Sequence, residues 1–281
     1  KLSDIASTVF AMDAISCLVA HMADDKRCDI RLEAAMAKLF CTEESWKIVN
    51  HAIQIRGGRG YETGPSLAGR GKPAFPLERA LRDSRVNMIL EGSSEILHLF
   101  IAREALDFHL KGMKSLLDPK VPITRKMTIA LSTGIKYLFW YPQLWIPCFC
   151  GGKTASSRRL KRHMRFIRRA SRRLARGVFH KMMCHQKKLV SKQNILNRFV
   201  DISLDIFAMS AACSYADSLF KKGEKKENSL DLADLFCRRA ENRIKKNFSD
   251  VRHNDDKLSD SIAKKLLAAK YEWLENDIIK K

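Results

Sequence analysis

The sequence predicts an all-α protein: a helical bundle, then a basic linker, then a second and degenerate helical domain. Apolar residues recur every three to four positions along most of the chain, which is the spacing of one face of an α-helix. Only 7 prolines interrupt the 281 residues. Two sequence blocks from the first part of the chain also reappear near its end, and such a repeat indicates a duplicated helical unit.

Four helical segments are predicted in the first part of the chain, from the spacing of apolar residues and from residues that commonly end a helix. They cover residues 3–24, 30–55, 77–89 (a short helix or an extended run) and 93–115. Gly57 and Gly58 follow the second segment, where glycine commonly ends a helix. A loop rich in glycine and proline separates the second segment from the third. Asp118 and Pro119 then mark a boundary, so the first predicted domain covers residues 1–117.

The second predicted domain is distinguished by its charge. The net charge of the chain is +21, and residues 119–200 hold 20 Lys and Arg side chains but no Asp or Glu. A basic helix, "SSRRLKRHMRFIRRASRRLARGVF", follows a stretch that is rich in aromatic residues. The segment 118–198 is therefore predicted to bind an anionic partner, chiefly through residues 137–178.

An anionic membrane surface is the favoured partner of this segment, because aromatic residues flank the charge as they do at membrane interfaces. These residues are Phe139, Trp140, Tyr141, Trp145 and Phe149. Nucleic acid would suit the same arginines and is the less favoured alternative. A third interpretation, a solvated helix in a bundle, is disfavoured because no acidic residue within the segment balances the charge.

The third predicted domain, residues 199–281, resembles part of the first. "VFAMDAISCLVAHMAD" at 9–24 is similar to "IFAMSAACSYADSL" at 206–219, and "AMAKLFC" at 35–41 is similar to "DLADLFC" at 231–237. The spacing between the two blocks agrees within one residue. The second copy has no counterpart of the glycine-containing blocks of the first copy, so we expect any chemistry to reside in the first copy.

The 8 cysteines are scattered along the chain. Cys148 and Cys150 form the closest pair, and no second pair lies at the spacing of a zinc site. We therefore predict no metal site, and we expect reduced thiols in an intracellular compartment.

Glu91 is the candidate for a catalytic base. It directly follows the apolar run 88–90 and precedes Gly92. Apolar neighbours remove water from a carboxylate and raise its pKa, which suits a base that must attack a weakly acidic C–H group. Taken alone, the same position would also suit a residue that caps the helix predicted to begin near Ser93.

Three blocks of the first domain resemble, in their order and spacing, the C-terminal helical domain of the acyl-CoA dehydrogenases. They are "EAAMAKLFCTEESWKIVNHAIQIRGGRGY" (33–61), "PLERALRDSRVNMILEGSSEI" (76–96) and "LFIAREAL" (99–106). The tail beyond this domain is similar to the very-long-chain branch of the family, which carries an extra C-terminal helical region and binds membrane. The loop 63–75 is longer than the corresponding link in the family.

The resemblance implies roles for residues in the first two of these blocks. Glu91 would abstract the α-proton of an acyl thioester while the β-hydride passes to FAD, and Gly92 would let the substrate approach the backbone closely. Ser93, Ser94 and Glu95 would lie against FAD, although Glu95 would bring a negative charge near its pyrophosphate. The residues implied to contact the adenine and pyrophosphate part of FAD, from a neighbouring subunit, are Gln54, Ile55, Arg56, Gly57 and Gly58.

We therefore expect the C-terminal portion of an FAD-dependent enzyme that converts long-chain acyl-CoA to trans-2-enoyl-CoA in fatty-acid β-oxidation. The first residue is Lys1 and not a methionine, which predicts a downstream piece of a longer protein that is inactive alone. Electron-transfer flavoprotein, a second copy in a homodimer and an anionic membrane surface are the expected partners. An acyl-CoA oxidase and a non-catalytic docking module are the alternatives. The expected location is intracellular and peripheral to a membrane, at the bacterial cytoplasmic face or the mitochondrial inner membrane.

Overall fold

A computed structural model describes residues 1–25, 29–117, 122–146, 155–223 and 226–276. Within these ranges every regular element is a helix, which confirms the predicted all-α class. The features predicted at Pro119, Cys148, Phe149 and Cys150 lie outside the described residues. The helices are α1 (Leu2–Asp25), α2 (Arg31–Arg56), α3 (Gly58–Tyr61), α4 (Gly64–Gly69), α5 (Leu77–Asn87), α6 (Ser94–Leu117), α7 (Ile123–Gln143), α8 (Arg158–His185), α9 (Gln193–Lys222), α10 (Lys226–Asp250), α11 (Asp256–Leu267) and α12 (Glu272–Asn276), with a 3-10 turn at Gln186–Leu189.

The core is built around α9. Thirteen of the 30 residues of α9 are buried, and the helix packs against α1, α6, α8 and α10. Small side chains let these neighbours approach closely, because Ala208, Ala212 and Ala216 have no exposed surface. By length and composition alone, α1 and α9 are apolar enough to cross a membrane, but the apolar window of α9 lies mostly inside the bundle.

The two copies of the repeat pack against each other in this core. The repeated blocks lie on α1 and α2 in the first copy and on α9 and α10 in the second. The rings of Phe10 and Tyr215 lie 5.4 Å apart. Phe40 and Phe236, which hold equivalent positions in the two copies, meet edge to face at 6.0 Å. The hydrophobic core therefore runs through all three predicted domains, and the proposed boundaries between them stay a prediction.

Helix α8 is a bundle helix whose charge is partly balanced by α10. Arg159 lies 2.5 Å from Asp231. The fully buried His163 lies between Asp234, at 2.6 Å, and Glu241, at 2.7 Å. Rejecting a bundle helix for lack of balancing acids was therefore wrong. The acids come from a helix some 70 residues further along the chain, which the local composition does not reveal.

Helices α3, α4 and α7 lie where the sequence predicted none. In the loop 63–75, α4 begins after Thr63, whose hydroxyl accepts from the N–H of Ser66 at 3.4 Å, and Leu67 is fully buried. Its glycines and proline suggested a loop, although a threonine cap followed by proline in the first turn is a typical helix start. Further on, α7 continues through the aromatic stretch and contains Pro142 in its last turn.

Gly60 is expected to tolerate no side chain. A Cβ atom at this position would lie 2.8 Å from both the Cα and the carbonyl oxygen of Ile53, so the backbone of α2 would have to shift. We expect Gly60→Ala to lower the free energy of unfolding in urea by about 1–3 kcal/mol. Gly58→Ala is the control, because a Cβ at Gly58 meets nothing within 4 Å. Equal losses in both variants would contradict the close contact with α2.

Candidate active site

The block E-G-S-S-E forms the turn between α5 and α6. Glu91 has φ +52° and Gly92 has φ +101°, so two consecutive residues adopt positive φ. A left-handed conformation costs a non-glycine residue about 1–2 kcal/mol. The N–H of Ser94 donates to the carbonyl of Met88 at 3.1 Å and closes the turn. The surrounding contacts must therefore hold the backbone that carries the Glu91 side chain.

The carboxylate of Glu91 has no structural task in the described part of the chain. It is exposed, and no hydrogen bond or ion pair from the described residues reaches it. Ser93 takes the capping role that was the alternative for Glu91, since its hydroxyl accepts from the N–H of Ile96 at 3.5 Å. Glu95 supports the same helix end: its own backbone N–H and the Ser93 hydroxyl lower the pKa of the Glu95 carboxyl.

Glu91 is not dry in this chain, which corrects the prediction drawn from the apolar run before it. Met88 is 9% exposed, but Ile89 and Leu90 are 55% and 59% exposed. These two residues lie in the turn after α5 and not on a helix face that packs against the core. Further large apolar residues are exposed in the same part of the sequence: Ile55, Tyr61, Phe75, Val86 and Ile96. Exposed apolar surface of this extent indicates a region that another domain, subunit or ligand covers.

Beneath the turn, a polar network connects α6 to the second copy of the repeat. The hydroxyl of Ser94 donates to Glu43 at 2.6 Å, so a contact between this hydroxyl and a cofactor would require that bond to open. His98 contacts the carbonyl of Ser94 through Nδ1 at 2.7 Å and Asp201 through Nε2 at 3.0 Å. Burial alone would lower the pKa of His98, but the hydrogen bonds to Asp201 and Ser94 raise it. Protonated His98 donates both bonds, and the network borders a polar cavity of about 410 Å³.

The main chain of the turn is held by Lys38 of α2. Its Nζ lies 2.7 Å from the carbonyl oxygen of Leu90, 2.9 Å from that of Glu91 and 2.6 Å from that of Gly92. Lys38 and the network below the turn were not predicted from the sequence, because these contacts join residues about 50 or more positions apart. The available signal was a charged residue inside the apolar block "AMAKLFC".

The predicted nucleotide-binding residues lie at the opposite end of α2. The helix ends at Arg56, and Gly57 then turns the chain with φ +60°. Gln54 is exposed, and a Cβ atom at Gly57 or Gly58 would meet nothing within 4 Å. An exposed amide, an open glycine backbone and the cation of Arg56 fit an adenine nucleotide with its phosphates. Sixteen residues of helix separate Gln54 from position 38, or about 24 Å at 1.5 Å per residue, so the structure does not bring this group to the Glu91 turn.

A second cavity, of about 470 Å³, lies among α6, α8 and α9 and is mainly apolar. Three serines line it, and each hydroxyl donates to a carbonyl of its own helix: Ser171 to Ile167, Ser203 to Val200 and Ser210 to Ile206. These hydroxyls are therefore engaged, and the residues of the Glu91 turn do not line this cavity.

Two family models match the chain. The model described as "Acyl-CoA dehydrogenase, C-terminal domain" matches residues 1–106, which include the Glu91 turn and both ends of α2. The model described as "ACAD9/ACADV, C-terminal domain" matches residues 158–271, which include α8 to α11. The two models together match most of the chain.

Similar proteins and a similar structure agree with these matches. A probable acyl-CoA dehydrogenase FadE10 of Mycobacterium tuberculosis is 42% identical over 99% of this chain and 43% of its own length. The mitochondrial very long-chain specific acyl-CoA dehydrogenase of Homo sapiens is 28% identical over 87% of this chain and 36% of its own length. A crystal structure of an acyl-CoA dehydrogenase complexed with FAD from Bacillus anthracis has a TM-score of 0.67 and 19% identity, covering 93% of this chain and 43% of that chain.

The structural likeness shows the fold alone at this level of identity. The chain spans less than half the length of each of these relatives. The matched motifs, the relatives and the helical fold agree on one assignment. The chain belongs to the acyl-CoA dehydrogenase family, and it corresponds to the C-terminal part of the family's members.

Proposed function

We propose that this chain is the C-terminal portion of an FAD-dependent enzyme that oxidises long-chain acyl-CoA in fatty-acid β-oxidation, with Glu91 as its catalytic base. The observation that carries the proposal is the Glu91 turn. No described residue makes a hydrogen bond or an ion pair with the Glu91 carboxylate, and Lys38 of α2 binds the backbone that carries it. The turn lies within the segment that matches the dehydrogenase domain. The very long-chain specific relatives support the long-chain substrate class.

The chemistry required of Glu91 is the transfer of one proton. Its carboxylate would take the proton from the α-carbon of the acyl thioester, so that a C–H bond breaks and an O–H bond forms. The electron pair released at the α-carbon would form the α,β double bond as the β-carbon loses a hydride. Bound FAD would supply the hydride acceptor. The product would be trans-2-enoyl-CoA, and Gly92, which has no side chain, would leave room for the thioester beside the turn.

The distance between the two ends of α2 supports a proposed placement of FAD against this chain. Ser93 and Glu95 would lie against one FAD, with Glu95 near its pyrophosphate, and residues 54–58 would bind the adenine and pyrophosphate end of a second FAD. Because about 24 Å of helix separates the two groups, one extended cofactor in one subunit need not reach both. A homodimer in which each chain contributes its 54–58 end to the cofactor of its partner would satisfy this spacing.

Residues 1–281 alone are expected to lack activity. Glu91 is exposed in this chain, and so are Ile89 and Leu90 beside it. A base that works on a weakly acidic C–H group needs a site from which water is excluded. We infer that the part of the protein that corresponds to the remaining length of the relatives supplies this cover.

The test is anaerobic reduction of bound FAD in the complete protein. Palmitoyl-CoA should bleach the flavin absorbance, and residues 1–281 alone should neither retain FAD nor react. An FAD-loaded protein that is not bleached by acyl-CoA of any chain length would reject the proposal and favour a non-catalytic docking module.

The electron acceptor separates the dehydrogenase from the alternative, an acyl-CoA oxidase. We propose that electron-transfer flavoprotein accepts the electrons. The reduced protein should then reoxidise quickly with electron-transfer flavoprotein and slowly with oxygen. Stoichiometric oxygen consumption with palmitoyl-CoA, in the absence of that partner, would assign the oxidase instead.

We also propose that α7, together with arginines of α8 such as Arg172 and Arg176, binds an anionic membrane surface from the intracellular side. Along α7, large apolar side chains are exposed at spacings of three to four residues: Ile123, Met127, Leu131, Ile135, Leu138 and Phe139. Just after the C-terminal end of α7, Arg176 of α8 stacks on Trp145 at 4.2 Å, and Arg172 of α8 donates to the carbonyl of Ile146 at 3.0 Å. An exposed apolar stripe beside arginines is typical of helices that lie in a membrane interface.

Leu131→Asp should weaken binding to vesicles that contain anionic lipid by about 10-fold, because it places a charge in the middle of the apolar stripe. Co-sedimentation of the complete protein with vesicles of anionic and of purely zwitterionic lipid measures this. Leu267→Asp is the control, since Leu267 is an 88% exposed leucine on a different helix, α11. Equal binding by wild type and Leu131→Asp, or tighter binding to nucleic acid than to anionic vesicles, would reject the membrane proposal.

A further inference from the structure

Lys38 uses its full hydrogen-bonding capacity on the backbone of the Glu91 turn. A lysine ammonium group has three N–H donors and no acceptor. The three carbonyl oxygens of Leu90, Glu91 and Gly92 lie 2.6 to 2.9 Å from its Nζ. All three donors of one side chain are therefore directed at three consecutive peptide groups, more than 50 residues away in the sequence.

The turn has a physical need for a cation at this place. It follows the C-terminal end of α5 at Asn87, where the carbonyl groups of a helix create partial negative charge. The positive φ of Glu91 and Gly92 brings three carbonyl oxygens towards one point, where they repel each other unless a cation lies between them. The same φ angles fix the direction in which the Glu91 side chain leaves the backbone.

The second copy of the repeat provides an internal comparison. Alignment of "AMAKLFC" with "DLADLFC" places Asp234 at the position equivalent to Lys38. The second copy has no E-G-S-S-E turn, and Asp234 instead pairs with His163 at 2.6 Å. The duplicated helix pair therefore packs without a lysine at this position, and the lysine occurs in the copy that carries the turn.

A second contact from α2 holds the other end of the turn. Glu43, five residues after Lys38, accepts the hydroxyl hydrogen bond of Ser94 at 2.6 Å. One helix therefore fixes the backbone at residues 90–92 and the side chain at position 94. Because α2 is itself packed in the core through Leu39 and Phe40, the turn is attached to a rigid element.

We propose that Lys38 is a positioning residue for the general base: its ammonium group holds the turn so that the Glu91 carboxylate points at the α-carbon of the acyl thioester. This proposal rests on the proposed function of Glu91. Misplacing a reacting group by about 1 Å can slow a reaction by about 10²-fold. The loss of Lys38 should therefore slow the proton transfer and leave the affinity for acyl-CoA nearly unchanged.

The first test compares Lys38→Met, Lys38→Arg and Lys47→Met in the complete, FAD-loaded protein. Lys47 lies on the same helix, pairs with Glu44 at 2.8 Å and has no hydrogen bond or ion pair with the described residues of the turn, so Lys47→Met is the control. The rate of flavin bleaching at saturating palmitoyl-CoA should fall about 10- to 100-fold in Lys38→Met and not in Lys47→Met. Lys38→Arg keeps the charge, but a planar guanidinium cannot place three donors as an ammonium does, so its rate should be intermediate.

A second measurement does not depend on the reaction. Hydrogen–deuterium exchange should become faster in Lys38→Met at residues 88–95, including the Ser94 N–H that closes the turn, and stay unchanged in α9. Faster exchange at residues 88–95 would show that Lys38 stabilises the turn, whether or not the protein reacts with palmitoyl-CoA. If palmitoyl-CoA fails to bleach the wild type, the proposed function fails, but the stabilisation of the turn by Lys38 does not. Unchanged exchange at residues 88–95, or a wild-type bleaching rate in Lys38→Met, overturns the proposal. If Lys38→Met does not retain FAD, Lys38→Arg decides: a slowed rate with a normal FAD content supports the role, and a wild-type rate overturns it.

Discussion

Glu91→Gln in the complete protein should abolish flavin bleaching by palmitoyl-CoA while FAD stays bound. Glutamine has nearly the shape of glutamate but cannot accept a proton at the reacting position. General-base catalysis contributes about 10²–10⁴-fold to a rate, so we expect the bleaching rate to fall by at least that range. The stability of the variant should change little, because no described residue engages the Glu91 carboxylate. Stopped-flow absorbance under anaerobic conditions measures the rate, and the absorbance of the purified protein measures the FAD content.

Glu95→Gln is the matched control for this experiment. Glu95 is an exposed carboxylate in the same motif, four residues further on, but its interactions are with its own backbone N–H and the Ser93 hydroxyl at the start of α6. In molecules that hold FAD, Glu95→Gln should retain most of the bleaching rate, because its carboxylate is proposed to lie near the cofactor and not near the α-carbon of the substrate. A Glu91→Gln variant that bleaches as fast as the wild type would place the base elsewhere. A loss of similar size in both variants would indicate a general effect of charge on the turn instead of proton transfer by Glu91.

The sequence predicted those features that depend on neighbouring residues. Helical spacing defined α1, α2 and α6 nearly to their ends, and the glycines at 57 and 58 correctly marked the end of α2. The break between α5 and α6 agrees with the predicted segments, which end at residue 89 and begin again at residue 93. In each case the cause lies within a few positions of the effect, so a local pattern is enough.

The features that the sequence did not predict depend on contacts between distant segments. The acids that balance α8 lie on α10, and Lys38 reaches carbonyl groups, which every residue possesses and which leave no mark in the sequence. The exposure of Ile89 and Leu90 was missed for a related reason. An apolar run shows that these residues are to be covered, but not whether this chain or another part of the protein covers them.

The repeat has a consequence for the candidate active site. The second copy lacks the E-G-S-S-E block, but its α9 supplies Asp201, which holds His98 beneath the turn. His98 also contacts the carbonyl of Ser94, so the second copy is connected to the turn that the first copy carries. The C-terminal helices are therefore part of the support of the site, and their stability bears on the geometry of the Glu91 turn.

Arg243→Met should lower the free energy of unfolding by about 2–3 kcal/mol. This is less than the cost of breaking a fully buried pair, because the Arg243 side chain is 41% exposed and solvent screens part of its interaction with Asp205. Asp205 on α9 is 6% exposed, and burial raises the pKa of its carboxyl although Arg243 opposes this shift. Arg243 on α10 donates to both carboxylate oxygens, with Nη2 at 2.5 Å and Nε at 3.1 Å. Methionine would leave a buried carboxylate without its counter-charge between the two helices of the second copy. Urea unfolding followed by the helical circular dichroism signal measures the loss.

Two companion variants distinguish a buried pair from the general loss of an arginine. Arg238→Met removes a more exposed arginine from the same helix, and its partner Asp234 keeps His163, so the loss should stay within about 1 kcal/mol. The double variant Asp205→Leu with Arg243→Met removes both charges and should recover most of the stability, because a buried ion pair contributes little over an apolar pair of similar volume. If the double variant were as unstable as Arg243→Met, the cost would come from lost packing around Arg243. An uncompensated charge at Asp205 would then not be its cause, and the link between α9 and α10 would depend on shape more than on electrostatics.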